Sequence, residues 1–191
     1  MVTYIIEHLE PKVFKWCFIE YKNISKIVGK DNLWFTNIKQ KSKEARELRK
    51  YGKVFKESVS KLNLKNACVL DPETNKTLTP GETKRFDYFI FGGILGDYPP
   101  RKRTTSELTS KLSGAEVRNI GKNQFSTDNA VLVTKEIVKG KSLEDLKFVN
   151  KRIVKINDIE SIELPYSYPI VNGKPQISKE LVNYLKKKKS F

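Results

Sequence analysis

The chain of 191 residues carries 37 lysines and arginines against 22 aspartates and glutamates, a formal net charge of +15. Its hydrophobic fraction of 38% is enough for a folded core, and it contains no run of about 18 apolar residues that would predict a membrane-spanning helix. Two cysteines and one histidine exclude a disulfide framework and predict no metal site, while the absence of a P-loop or dinucleotide-binding glycine motif argues against the common nucleotide-binding classes.

The first half of the chain alternates between β-prone apolar runs and helical patterns. Helical spacing of apolar residues continues up to Gly29, a glycine that suits a helix C-terminus. The predicted elements are a strand at 3–9, a helix over 11–28, a strand at 32–38, a helix over 42–60 and a strand at 67–71.

The second half continues this alternation and then changes. Thr79 and Glu82 have the spacing of a capping box, with Pro80 at the first helical position. The predicted elements are a short helix at 79–86, a strand at 87–91, a short helix at 104–112, a strand at 116–120, a helix over 126–139, a strand at 148–156 and a final helix at 178–185. Four turn-forming residues are expected to break the stretch before that helix into turns, namely Pro165, Pro169, Gly173 and Pro175.

This order of elements predicts an α/β fold, a mostly parallel sheet with helices on both faces. We expect a main domain over 1–145 and a C-terminal extension over 146–191, packed on the same domain and ending in a basic helix. Ligands of parallel sheets bind at the carboxyl ends of the strands. That rule selects three loops, at 70–72, 92–104 and 121–126.

The loop at 92–104 carries the densest chemical pattern. Its glycines allow close approach of a ligand to the backbone, and Asp97 adds a carboxylate. Arg101 and Arg103 add positive charge to the same loop. A tight turn followed by a solvated basic loop is the simpler alternative to a ligand-binding loop. At the end of the first strand, Glu7 and His8 reach the same edge of the sheet, where a lone histidine is more often packed than catalytic. The loop before the helix at 126 offers free amides, which ordinary helix capping also explains.

Taken together, these motifs resemble the SPOUT methyltransferases, in the archaeal and fungal group that includes a fungal ribosomal-protein arginine methyltransferase. The glycine string is the most specific match, and Tyr98 departs from the histidine expected in it. The matching segments run in order along most of the chain: YIIEH at 4–8, LDP at 70–72, LTP at 78–80, FGGILGD at 91–97, PPR at 99–101, RT at 103–104, STD at 126–128, LKF at 146–148 and ELP at 163–165.

The resemblance implies a deep C-terminal trefoil knot and a bent S-adenosylmethionine held between the three loops. Asp97 and Glu7 are the candidates to orient the acceptor and assist loss of its proton, and Arg101 or Arg103 would engage the methionine carboxylate or an acidic substrate segment. The implied cofactor contacts are Leu70, Pro72, Gly92, Gly93, Ile94, Gly96, Ile120, Gln124, Phe125 and Ser126.

Three functions remain open at this point. The resemblance favours methylation of an arginine in a ribosomal protein, whereas the charge of +15 also suits an RNA methyltransferase or a non-catalytic RNA- or ribosome-binding module. A lysine-rich composition of the whole proteome would explain the same charge without function. A cytoplasmic protein is expected, without membrane association, as a monomer or a homodimer formed through the knot.

Overall fold

The computed structural model describes residues 2–39, 41–96, 101–156 and 160–187. Its centre is a sheet of six parallel strands in the order β3-β2-β1-β5-β4-β6. The strands are β1 (Thr3–His8), β2 (Leu33–Thr36), β3 (Lys53–Val54), β4 (Ala67–Leu70), β5 (Tyr88–Gly93) and β6 (Glu116–Arg118). Because all six run in one direction, their carboxyl ends share one edge of the sheet.

Helices cover both faces of this sheet, as predicted. Residues of β1 alternate between the faces: Tyr4 and Ile6 pack into the core beneath the two long helices, and Ile5 packs on the opposite side with Leu108. This alternation is the two-residue period of a strand buried on both faces. The helices are α1 (Lys15–Val28), α2 (Lys43–Glu47), α3 (Arg103–Glu107), α4 (Thr127–Val138) and α5 (Lys179–Lys187).

The predicted helix over 42–60 is wrong. The helical segment ends after α2 and a 3₁₀ turn at Leu48–Lys50. The chain then forms the short strand β3 beside β2. Gly52 explains the change, since a β-carbon there would lie 2.6 Å from the carbonyl oxygen of Leu33. Glycine disfavours a helix interior and here permits close contact between the two chain segments.

A second, antiparallel sheet contains the strands β7 (Phe148–Lys155), β8 (Ser161–Val171) and β9 (Lys174–Pro175), in that order. The predicted turns at Pro165 and Pro169 are therefore wrong, because both prolines lie within β8. Pro165 lies within a bulge of β8, where Pro165 and Tyr166 together face Lys151 of β7 and the register shifts. Bulges and the outer side of a strand tolerate a residue that cannot donate a backbone hydrogen bond.

The last helix, α5, packs against α1. Leu181 and Leu185 are buried in a cluster that also contains Ile19, and Lys22 forms an ion pair of 2.8 Å with Glu180. The helix begins as predicted after Ser178, whose hydroxyl accepts a bond from the amide of Leu181. No helix in the described ranges is both long enough and apolar enough to cross a membrane.

Candidate functional site

A cavity of about 390 Å³ opens at the carboxyl edge of the large sheet. Its volume falls in the range of about 300–1,000 Å³ that is usual for small-molecule sites. Three segments surround it, and they are the three that the sheet rule selects: residues 70–73 after β4, 91–96 with 101–104 after β5, and 120–125 after β6. Thr127 and Ala130 of α4 complete the lining.

The first wall is held by Asp71, a buried residue that the sequence interpretation did not select. Its Oδ2 accepts bonds from the hydroxyls of Thr105 at 2.9 Å and Thr109 at 2.7 Å, and its Oδ1 accepts from the amide of Glu73 at 3.0 Å. The carboxylate therefore ties the end of β4 to α3 and the turn that follows it.

Two lysines connect the first wall to the other two. Lys122 donates to the carbonyl oxygens of Pro72 at 3.1 Å and Thr74 at 2.7 Å, and Lys102 lies 2.7 Å from Glu73. These contacts are exposed, so each contributes little to stability. Both lysines are part of the cavity lining.

The second wall is fixed by Glu10, which follows β1. Its Oε1 accepts bonds from the amide of Leu95 at 3.0 Å and from Arg103 at 2.8 Å. Arg103 also binds Glu107, at 2.6 Å through Nε. This double pairing raises the pKa of the guanidinium and keeps it charged.

Close packing at Gly96 joins the second wall to the third. A β-carbon at Gly96 would lie 2.5 Å from Nε2 of Gln124 and 2.6 Å from the ring of Tyr166. The Tyr166 hydroxyl is 3.5 Å from the Gly96 carbonyl oxygen. A side chain at this position would have to displace the side chains of Gln124 and Tyr166.

The C-terminal sheet supports the third wall. The amide of Ser167 in β8 donates to the carbonyl oxygen of Gln124 at 2.8 Å. The rings of Phe125 and Phe148 pack with their centroids 5.4 Å apart. Strands β7 and β8 therefore help to shape a cavity whose other walls come from the large sheet.

Most of the predicted cofactor contacts line this cavity. The lining includes Leu70, Pro72, Gly92, Ile94, Gly96, Ile120, Gln124 and Phe125, together with the predicted catalytic residues Arg101 and Arg103. Arg103 uses Nε, Nη1 and Nη2 for Glu107, Glu10 and the carbonyl oxygen of Leu9, so its position is that of a structural ion pair. Asp97, the first candidate for acceptor chemistry, and Tyr98 lie outside the described residues.

Three of the predicted site residues that the structure describes, Gly93, Ser126 and Glu7, do not border the cavity. Gly93 makes room for Tyr21, because a β-carbon there would collide with the tyrosine hydroxyl. Ser126 occupies the N-cap position of α4 without a side-chain capping bond, and its hydroxyl donates to Asp128 at 2.7 Å. The structure thus places Gly93 and Ser126 in the packing beside the cavity and not in its lining.

The pair at the end of β1 is also structural. Glu7 is buried and accepts bonds from the hydroxyl of Thr36 and, at 2.9 Å, from the amide of Val59. Glu7, predicted to act on the acceptor, thus lies in the packing at the end of β1 and outside the cavity lining. His8 is buried with Nδ1 at 2.9 Å from the Tyr21 hydroxyl, and burial lowers its pKa. The neutral ring packs against Tyr21, which agrees with the alternative that a lone histidine is packed and not catalytic.

No metal is expected at the cavity, and the described ranges contain no group of three or more histidine, cysteine, aspartate or glutamate side chains placed to hold one. The groups that the lining offers are carboxylates, guanidinium groups, hydroxyls and backbone amides. Such a set binds a polar organic ligand through many weak contacts.

A family profile, described as protein arginine N-methyltransferase SFM1-like, matches residues 3–190. The protein arginine N-methyltransferase SFM1 of Saccharomyces cerevisiae is 32% identical over 203 residues, which cover 97% of this chain and 95% of the yeast protein. The crystal structure of the yeast arginine methyltransferase SFM1 complexed with SAH superposes with a TM-score of 0.87 at 32% identity, covering 96% of this chain and 94% of that one.

A more distant likeness extends to a different methyltransferase. A dual-specific Trm10 from Thermococcus kodakaraensis matches 76% of this chain and 96% of its own, with a TM-score of 0.59 at 21% identity. At that identity the likeness concerns the fold alone. The same α/β arrangement is thus used by proteins of separate families.

Proposed function

The chain belongs to the SFM1-like family of protein arginine N-methyltransferases, and from that membership we propose that it transfers a methyl group from S-adenosylmethionine to an arginine of a ribosomal protein. Arginine methylation is the activity of the family. The observation that carries the rest is the meeting of three loops, from β4, β5 and β6, around one cavity.

The cavity suits S-adenosylmethionine in size and in chemistry. We assign Leu70 and Pro72 to its first wall, Gly92, Ile94 and Gly96 to its second, and Ile120, Gln124 and Phe125 to its third. The glycines leave backbone amides and carbonyls accessible, and the apolar side chains suit an adenine ring. When bound, S-adenosylmethionine supplies an electrophilic methyl group on a sulfonium, which needs no metal. A crystal structure of yeast SFM1 complexed with SAM supports this assignment.

The residues around the methyl group must orient the acceptor arginine and assist loss of a proton from its guanidinium. An arginine side chain has a pKa above about 12, so a carboxylate is needed to align the guanidinium and assist loss of a proton. We assign this role to Asp97, which directly follows the glycine held by Tyr166 and Gln124. Arg101, which lines the cavity, is assigned to the methionine carboxylate, and Arg103 to the support of the second wall through Glu10 and Glu107.

We also propose that the chain forms a C-terminal knot and consists of a main domain over 1–145 and a C-terminal extension over 146–191. The knot would hold the loops after β5 and β6 in fixed positions around the cavity. The extension over 146–191 would act as a built-in support, since β8 already holds the third wall through Ser167. With that support in the same chain, a monomer is sufficient for activity.

The charge of +15 supports a ribosomal acceptor in the cytoplasm. A ribosomal protein is surrounded by RNA phosphates, which attract a basic enzyme and speed encounter. RNA itself is the second candidate acceptor, favoured by the same charge.

Methyl transfer to ribosomes tests this proposal. Purified protein is incubated with ribosomes and radiolabelled S-adenosylmethionine, and the product is divided between protease and nuclease digestion. Label that is released by protease and recovered as methylarginine supports the proposal. Label that is released by nuclease instead identifies an RNA methyltransferase and overturns it.

A further inference from the structure

The cavity lining is strongly basic for a site that is proposed to hold two cations, the sulfonium of S-adenosylmethionine and the guanidinium of an acceptor arginine. Its described residues include two carboxylates, Asp71 and Glu73, against four basic side chains. Like charges brought together in a closed site repel each other, so the acceptor guanidinium needs a carboxylate of its own. The four basic side chains are Arg101, Lys102, Arg103 and Lys122.

Asp71 is already occupied by contacts within the protein. It is 2% exposed, and its two oxygens accept bonds from the hydroxyls of Thr105 and Thr109 and from one backbone amide. A ligand at Asp71 would have to break the bonds that hold the end of β4 to α3. Glu73, whose side chain is 37% exposed, is therefore the carboxylate of the described lining that a ligand can reach.

The partner of Glu73 is a lysine that can be exchanged. Nζ of Lys102 lies 2.7 Å from Oε2 of Glu73, and the lysine side chain is 67% exposed. An ion pair that is open to water contributes little free energy, so a better partner can replace the lysine. Lys102 also has a φ of 55°, a left-handed conformation that is uncommon for a residue with a side chain and that often marks a ligand-binding segment.

A guanidinium is a better partner for Glu73 than the lysine amine is. A guanidinium can donate two parallel N–H bonds to one carboxylate, whereas an ammonium acts as a point charge. The same cavity contains an example: Nε and Nη2 of Arg103 reach the two oxygens of Glu107 at 2.6 Å and 3.2 Å. An arginine that enters the cavity mouth can form the same pair of bonds with Glu73.

We propose that Glu73 binds the guanidinium of the acceptor arginine, and that Lys102 occupies this carboxylate until the acceptor displaces it. The proposal rests on the proposed function, since it specifies how the same site selects arginine. Lys102 belongs to the loop between β5 and α3, which also contains Asp97 and Arg101, so the exchange takes place next to the groups assigned to methyl transfer. Asp97 keeps the separate role of assisting proton loss.

Nuclear magnetic resonance tests the binding step directly. The full chain, saturated with S-adenosylhomocysteine, is titrated with the peptide Gly-Gly-Arg-Gly-Gly and separately with the same peptide carrying citrulline, a neutral isostere of arginine. The backbone amide signals of Glu73 and Lys102 report on the site. Glu47 and Lys50 are the internal control, because they form an ion pair of 3.1 Å with nearly the same exposure, 35% and 66%, outside the cavity lining.

We expect the signals of Glu73 and Lys102 to move with the arginine peptide only. In Glu73→Gln, the Lys102 signal should require an about tenfold higher concentration of that peptide, because a charge-assisted pair of bonds is lost. Equal responses to the two peptides, no response at Glu73, or an unchanged response of Lys102 in the variant overturns the proposal.

Kinetics measures the effect on the acceptor. Glu73→Gln should raise KM for ribosomes about tenfold, while kcat and Kd for S-adenosylmethionine stay within about threefold, because Asp97 and the cofactor contacts are unchanged. Lys102→Met removes the competing cation and should lower KM about threefold. Glu47→Gln, the matched control, should retain the KM of the unmodified protein. A rise in KM in Lys102→Met would show that the ion pair itself is required, and it would overturn the displacement.

The outcomes separate this proposal from the proposed function. If the unmodified protein methylates a ribosomal protein and Glu73→Gln does so with an unchanged KM, the guanidinium site is wrong and the proposed function stands. If the arginine peptide moves the Glu73 signal but ribosomes accept no methyl group on protein, the ribosomal acceptor is wrong and the guanidinium site stands.

Discussion

Glu10 and Arg103 join the loop after β1 to the start of α3, with Nη1 of Arg103 2.8 Å from Oε1 of Glu10. The same oxygen accepts the amide of Leu95 at 3.0 Å. One carboxylate thus fixes both ends of the segment that contains Asp97. The anchoring of Leu95 and of Arg103 depends on this carboxylate, although neither Glu10 nor Arg103 needs to touch a substrate.

Replacing Arg103 by lysine should therefore weaken cofactor binding without removing charge. Lysine cannot bond Glu10, Glu107 and the Leu9 carbonyl oxygen together, as the guanidinium does. We expect Kd for S-adenosylmethionine to rise about tenfold and the free energy of unfolding to fall by about 1–2 kcal/mol. Calorimetric titration and urea denaturation measure the two effects. Unchanged affinity in Arg103→Lys would show that the loop holds its shape without the pair.

Gly96→Ala should close the cavity from within. The new methyl group would meet Gln124 and Tyr166 at about 2.5 Å, well inside van der Waals contact. We expect cofactor affinity to fall about tenfold, because the side chains of Gln124 and Tyr166 must move to make room for the methyl group. Gly114→Ala is the matched control, since nothing lies within 4 Å of its β-carbon. Equal affinities of the two variants, measured by calorimetry, would contradict the close packing.

The parts of the fold that follow from the sequence are those with strong local signals. Strands β1, β4 and β5 are apolar runs with clear ends, and α4 begins one residue after the predicted cap at Ser126. The short strand β3 could not be predicted, because two residues are too few to show the alternating pattern of a strand. Strand β8 was hidden by its prolines, of which Pro165 lies in a bulge of β8 itself and Pro169 pairs with Phe148 in the regular register.

The site also has features that follow from the sequence and features that do not. Its three loops follow from the sheet rule, but its supports depend on contacts between residues that are distant in the chain, such as Glu10 with Leu95. Two signals were nevertheless present. Asp71 is a carboxylate directly after a buried strand, and Glu20 lies three residues from Cys17 on the apolar stripe of α1. A charged residue on a buried stripe is seldom without a specific role.

Asp97→Asn is expected to separate catalysis from binding. Asparagine keeps the size of the side chain but cannot assist proton loss from a guanidinium. We expect kcat to fall at least about 100-fold, while Kd for S-adenosylmethionine changes less than about threefold. Single-turnover transfer of a labelled methyl group measures the first quantity and calorimetry the second. Retained turnover in this variant would remove Asp97 from the mechanism.

The Glu20 carboxylate should make the stability of the protein depend on pH. Its pKa is raised in the folded state by burial and by Asp128, so the folded protein holds a proton that the unfolded chain releases. Stability from such a group is complete below the unfolded pKa of about 4.3 and is lost as the pH rises through the folded value. The unmodified protein should therefore lose stability, relative to Glu20→Gln, as the pH is raised from about 5 to about 9.

Urea denaturation of both proteins across this range measures the difference, since glutamine cannot ionise. Glu136→Gln is the control of opposite sign: its carboxylate has a lowered pKa, so the stability that it contributes is present at neutral pH and is lost on acidification. Parallel curves for the unmodified protein and Glu20→Gln would mean that Glu20 carries its charge at little cost.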